Sequence, residues 1–307
     1  GFNASDAKQL ERQLETKMLG IEAALQNIFP PIAEEQRYHK TSGKPLPVRY
    51  THFNVGSRQQ IAERLEKKGA VWKEKTPSGK PKVDESTLKK NLHVPEAKTV
   101  LKYLLLQKRH SQVLSWIKAE NKGRIYGRVK HIGAVTGRMA HSSPNLAQVP
   151  AVYAEYGSDC RKLFIVPPNR VLVGADASGL ELRMLAHYMD SEGYTKEILE
   201  GDIHTTNQQA AGLKTRAQAK TFIYAFLYGA GNAKIGSVVG GSAQLGARLK
   251  ETFLRNVPSL ARLREDVTTQ ADSGFLDGLD GRRLRVRSAH AALNTLLQGA
   301  GAIVMKQ

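Results

Sequence analysis

The sequence predicts an α+β protein that is mainly helical, with a few short strands in its middle and near its C-terminal end. Three observations carry this: apolar residues recur at three- and four-residue steps over long stretches, β-type alternation is confined to short segments, and prolines and glycines cut the chain into elements of ordinary length. Over residues 5–28 the stripe is Leu10, Leu14, Met18, Ile21, Leu25 and Ile28, one face of a long amphipathic helix. Pro30, Pro31, Pro45 and Pro47 make residues 29–54 mostly loop. Ser57 and Gln60 form a capping box for a short helix running to Gly69. Residues 73–89 are a charged, turn-rich excursion. Its Ser78-Gly79-Lys80 lacks the first glycine of a phosphate-binding G-x-x-x-x-G-K loop and reads as solvated loop. Residues 96–120 return to the helical period. Arg124–Val129 alternates charged with apolar or aromatic residues, and Val171–Ala175 is a short apolar run after two prolines; both read as strands. Helical patterns resume over 180–189 and 216–228, the second stopped by Gly229 and Gly231. After a turn at Asp280-Gly281 comes a strand with Leu284 and Val286 on one face and Arg283, Arg285 and Arg287 on the other.

The 307 residues are 41% hydrophobic and 24% charged, the composition of a folded protein rather than a disordered or collagenous one. No apolar run approaches the roughly 20 residues a membrane span needs, and the opening GFNASDAKQL has neither the basic start nor the apolar core of a signal peptide. With a single cysteine, Cys160, there is no internal disulfide, and a soluble, cytoplasmic protein is expected. Lys and Arg number 46 against 28 Asp and Glu, a net charge of +18 that gathers polyanions. Nucleic acid is the leading partner, and a basic surface kept for solubility is the alternative.

Four groups of residues could carry chemistry. Asp176 follows the run VLVGA, where α/β proteins hold ligands and cations, though taken alone it reads first as a turn aspartate; Ser178 and Glu181 beside it form a capping box. Thr215 and Gln218 form another box, which puts Arg216 in the first turn of a helix against its dipole, a cost that an arriving anion would offset. Lys220, Tyr224 and Tyr228 continue on the same face. Two cations followed by two aromatics suit a triphosphate, then a sugar, then a stacked base; a solvated basic helix with core tyrosines is the alternative. Thr136-Gly137-Arg138 and Ser143–Gln148, taken alone, are turn and loop. Asn294 and Gln298 lie one turn apart in an apolar helix, either as a buried amide pair bonded to backbone or as donors to the minor groove, whose acceptors recur at nearly every base pair.

Together these segments resemble a known family. VGADASGLELRMLAHYM is similar to motif A of family-A (Pol I-like) DNA polymerases, and RAQAKTFIYAFLYGAG to their motif B. TGRMAHSSPNLAQVP and RSAHAALNTLLQGAGA resemble two further blocks of that family, in the same order. The wording is nearest that of phage replicative polymerases that recruit thioredoxin, and the match runs from about Tyr103 to the C-terminus. The resemblance implies part of a right-hand polymerase with a small antiparallel palm sheet. The thumb would cover 1–123, the first part of the palm 124–200, the fingers 201–290, and the start of the return to the palm 291–307. It implies that Asp176 and the carbonyl of Ala177 bind catalytic Mg²⁺. Arg216 and Lys220 would hold the dNTP triphosphate with help from His204; Tyr224 would stack near the sugar, and Glu181 would close the pocket against a ribose 2′-hydroxyl. Tyr228 would sit at the templating base, and Arg138, Asn145, Asn294 and Gln298 would contact the primer-template duplex.

The departures from the family pattern set further expectations. Its second metal aspartate lies in a His-Asp-Glu motif, and no such tripeptide occurs here. This polypeptide alone is therefore expected to bind primer-template and to extend it barely, with a C-terminal fragment as its complement. The exonuclease carboxylates are absent, so no proofreading is expected. The short loop at 29–54 gives no basis for a thioredoxin-like processivity factor. A non-catalytic primer-template binder and a generic basic nucleic-acid module remain the alternatives.

Overall fold

In the computed structural model, which describes residues 1–307, the chain divides into two compact units. One is formed by Gly1–Arg128 and His141–Leu172, the other by Val129–Ala140 and Val173–Gln307. The first unit is organised on two long helices, α1 (Ala4–Ile28) and α4 (Pro95–Ala119), packed along one another. The side chain of Asn3 accepts the Asp6 N–H and starts α1, whose Leu10, Leu14 and Leu25 are buried as the stripe predicts; Ile28, at its end, is exposed. Leu14 joins Leu106, Val113 and Trp116 of α4 in one core, closed by edge-on rings of Trp116 and Phe2 against Phe164. A second core gathers Leu25, Phe29, Phe53 and Ile61.

As expected, 29–54 is mostly loop, interrupted by the two-residue antiparallel pair β1 (Ile32–Ala33) and β2 (Tyr50–Thr51). Ser57 accepts the Gln60 N–H to start α2 (Arg58–Glu66), but the reciprocal half of the box is missing: Gln60 Oε1 accepts from the Asn54 N–H instead. The excursion at 73–89 ends in a helical turn, α3 (Glu85–Lys89), because Asp84 and Thr87 cap it reciprocally. The alternation at 124–129 is broken at Tyr126-Gly127. Its first half, β4 (Arg124–Ile125), pairs with β3 (Glu120–Asn121) across Lys122 and Gly123, both at positive φ. Helix α5 (Gly157–Lys162) buries Cys160, whose thiol that burial pushes up to about 11. Strands β5 (Arg128–Lys130) and β6 (Ala140–Ser142) lie where the chain passes between the units.

The strand expected at Val171–Ala175 does not form. Val171, Leu172 and Val173 are 83%, 85% and 84% exposed, and no strand of the chain pairs with them, so the N–H and C=O groups of this run have no ladder to join. The expected cap at Ser178 is also absent. Gly179, at φ +59°, and not Ser178 is the residue before α6 (Leu180–Met189), so no side chain caps that helix, and the Glu181 carboxylate pairs with the Arg138 guanidinium.

The remainder of the second unit is a helical block: α7 (Glu192–Leu199), α8 (Ile203–Ala211), α9 (Arg216–Leu227), α10 (Asn232–Val238), α11 (Ala243–Asn256) and α12 (Pro258–Ala271). The hairpin of β7 (Phe275–Asp277) and β8 (Arg283–Arg285) follows, then a 3₁₀ turn at Ala289–Ala291 and α13 (Ala292–Val304). In the hairpin Leu276 faces Leu284 and both are buried, while Arg283, Arg285 and Arg287 are exposed, the arginine face the alternation predicts. Phe222 and Phe226 of α9 meet Phe253 of α11 edge-on at 5.2 and 5.4 Å in the centre of this unit's core. No helix of the chain is long and apolar enough to cross a membrane.

Candidate functional site

Helix α9 positions the cation-aromatic stripe. Thr215 accepts the Gln218 N–H at 3.2 Å and fixes where the helix begins, and the apolar face of Phe222, Ile223 and Phe226 fixes its rotation by burial. Arg216 and Lys220 are left exposed, Tyr224 half-buried, and Tyr228, at the helix end, exposed; the two tyrosine rings lie 6.4 Å apart. His204, on α8, approaches the same stripe, 6.5 Å ring to ring from Tyr224.

The charges around this face form two pairs. Asp202 takes Arg216 in a fork, with Nε to Oδ2 at 2.6 Å and Nη2 to Oδ1 at 2.9 Å. The same carboxylate accepts the His204 N–H and the Thr205 hydroxyl, capping α8, and the guanidinium holds its pKa well below the usual carboxylate range. In the second pair Arg138 Nη2 lies 3.3 Å from Glu181 Oε1. Glu181 and Arg138 act on the tyrosines from there: burial raises the pKa of both Tyr224 and Tyr228, Glu181 adds to the rise, and Arg138 opposes it at Tyr228. The turn that carries Arg138 is braced by Lys306, whose Nζ donates to the carbonyls of His131 and Gly137 at 2.7 Å each.

His204 carries a testable consequence. Its Nδ1 is buried without a partner, and its pKa is lowered, first by burial and then by the charges of Arg216 and Lys220. Folding therefore releases a proton from this imidazole in the window between its folded pKa and the ordinary value of about 6.5. Stability should fall as pH is lowered through that window, and His204→Gln should flatten this part of a melting-temperature profile. An unchanged profile would show that His204 titrates freely.

Arg138, Glu181, His204, Arg216, Lys220, Tyr224 and Tyr228 are thus brought into one linked neighbourhood of the second unit. Asp176 and Ala177 lie in the loop before α6, Asp176 exposed, and the ion pairs of the region leave its carboxylate unengaged. Asn145 belongs to the first unit, where its side chain accepts the Ala147 N–H at 3.1 Å and caps a 3₁₀ turn. Asn294 and Gln298 are half-exposed on α13, not buried against backbone. Of the side chains of that helix, it is Thr295 that bonds back, to the Ala291 carbonyl. Sequence reasoning missed Asp202 and Lys306. Asp202 had a local signal, an acid one residue before a helix, but the partner that makes it part of the site is 14 residues away.

The family model described as DNA polymerase family A matches residues 32–307. The DNA-directed DNA polymerases of Enterobacteria phage T3 and Escherichia phage T7 are each 43% identical over 90% of this chain, and it covers 44% of their length. DNA polymerase I of Pseudomonas aeruginosa is 28% identical over 83% of the chain, which covers 31% of that protein. The chain thus spans less than half the length of these curated relatives. Among solved structures, the POL domain of Pol1 from M. smegmatis, in complex with DNA primer-template and dNTP, matches all of this chain with a TM-score of 0.80 at 20% identity; 55% of that structure is covered, and the likeness is one of fold. On the extent of the family match and the identity to the phage enzymes, the chain belongs to DNA polymerase family A.

Proposed function

We propose that this chain carries the nucleotide- and template-binding portion of a DNA-directed DNA polymerase, transferring a nucleotidyl group from a dNTP to a primer 3′-hydroxyl. One observation carries the reading: the face of α9 sets two cations and then two tyrosines in line, with His204 and the Arg138–Glu181 pair beside them. In this reading 1–123 is thumb, 124–200 the first part of the palm, 201–290 fingers and 291–307 the return toward the palm.

Lys220 and Arg216 neutralise the triphosphate and the charge that develops on the transferred phosphoryl group, and His204 adds a donor at the phosphates. Tyr224 packs on the sugar and Tyr228 on the templating base. Arg138, Asn145, Asn294 and Gln298 donate to duplex acceptors without reading sequence. The unengaged Asp176 carboxylate and the Ala177 carbonyl are an all-oxygen donor set that would hold Mg²⁺, and the ion would supply positive charge to offset that of the reacting phosphate. The second carboxylate comes from a complementing segment that bears the His-Asp-Glu motif.

Primer extension tests this. The chain with such a complement and Mg²⁺ should extend a primer, the chain alone barely, and Asp176→Asn with the complement not at all. Duplex binding without extension in any combination would leave a non-catalytic primer-template binder. Glu181→Ala removes the carboxylate beside Tyr224. It should raise ribonucleotide incorporation relative to deoxyribonucleotide by roughly 10- to 100-fold, read as a ratio of kcat/KM values. An unchanged ratio would reduce Glu181 to the partner of Arg138.

A further inference from the structure

The contacts of Lys306 close a ring inside the second unit. Two residues past the end of α13, its Nζ donates to the carbonyls of His131 and Gly137 at 2.7 Å each, and its backbone N–H donates to the Ile303 carbonyl, which keeps it in register with the helix. Those carbonyls lie on the turn that delivers Arg138. The turn is closed by its own backbone: Gly133 and Ala134 both donate to the Arg138 carbonyl, and Gly137 donates to that of Ala134. Arg138 in turn pairs with Glu181 of α6. Helix α6 then packs back on α13, where a methyl group added to Gly301 would stand 3.1 Å from Leu180 Cδ2. Since α13 also carries Asn294 and Gln298, the Lys306 ammonium ties the backbone beside Arg138 to the helix that bears those two amides.

We infer that Lys306 is a positioning residue for discrimination at the primer end: it holds Arg138 in a fixed relation to Asn294 and Gln298, so that a paired terminus meets all three donors and a mispaired one does not. The inference rests on the reading of those three residues as duplex donors given above. Minor-groove acceptors recur at nearly the same places in every correct pair. Donors can therefore test pairing only if their own spacing is fixed, because a turn free to follow a displaced acceptor would bond to correct and incorrect ends alike. A lysine suits this work. Its ammonium has three donors, enough to serve both carbonyls at once, and each bond is strengthened by the charge.

Extension of matched and mismatched primer ends by the chain with its complement tests this, read as the ratio of the two kcat/KM values. Lys306→Met should raise mismatched relative to matched extension by about tenfold. Lys306→Gln, whose amide cannot serve both carbonyls, should move the ratio in the same direction, and Lys306→Arg should restore most of the discrimination, because a guanidinium also donates to two acceptors. Arg138→Ala should lose discrimination by itself, and adding Lys306→Met to it should change the ratio no further, since Lys306 acts through Arg138. A merely structural role would lower the melting temperature and leave the ratio where it was. A ratio unmoved in both Lys306→Met and Lys306→Gln, or one that moves again in the Arg138→Ala background, overturns the inference and leaves the polymerase reading intact. Failure of the unsubstituted chain and its complement to extend even the matched primer would remove both readings.

Discussion

Lys220→Ala is expected to lower nucleotide incorporation by the complemented enzyme by about two to three orders of magnitude while duplex affinity stays the same. Lys220 stands one turn inside α9 on the face it shares with Arg216 and Tyr224, exposed and in no ion pair, so its ammonium is uncommitted until a phosphate arrives. A charge placed on the transferred phosphoryl group acts more strongly in the transition state than on bound substrate, so the loss should fall on kcat more than on KM. Arg216→Ala should show the opposite split, because its guanidinium already has a carboxylate partner and exchanges it for the triphosphate tail in the ground state. Lys220→Arg keeps the charge and should recover part of the rate. If Lys220→Ala weakened duplex binding and left nucleotide binding untouched, the stripe would be a generic basic surface.

Gly229→Ala should produce a large loss of stability. At φ +72° the left-handed backbone alone costs alanine about 1 to 2 kcal/mol. A methyl group there would also come within 2.1 Å of the His290 carbonyl oxygen, a backbone atom in the turn that leads into α13, and relieving that overlap costs roughly 1 to 3 kcal/mol more. For a chain of this size the sum amounts to a fall of about 3 to 8 °C in melting temperature, measurable by circular dichroism. Gly231→Ala is the control two residues on, at an ordinary φ of −64° with nothing within 4 Å of the added methyl. Equal melting temperatures for the two variants would mean that the corner between α9 and α13 yields freely.

The contrast between these glycines shows what could be read from the sequence. Gly229 was legible as a helix stop because a left-handed residue after an apolar-periodic segment is a local matter. That it touches a carbonyl 61 residues later in the chain is not local, and no spacing rule announces it. The same division runs through the site. The α9 stripe, its Thr215 cap and the arginine face of β8 followed from period and capping chemistry among near neighbours. The Arg138–Glu181 pair joins residues 43 apart and the Arg216–Asp202 fork residues 14 apart, so neither was visible. At Val171–Val173 the failure had another origin. β-type residues state a preference, and a strand exists only where a second backbone meets the first.

The fork on Arg216 also changes how a binding constant for this face should be interpreted. Any anion that takes the guanidinium must first displace Asp202, so the process is a swap of one acid for another and the observed affinity is a difference between two attachments. Added salt loosens both of them, and its effect on the measured constant should be flatter than the charge of a triphosphate alone would suggest. Once displaced, Asp202 is a second anion left beside the first, and its repulsion favours the departure of whatever has replaced it.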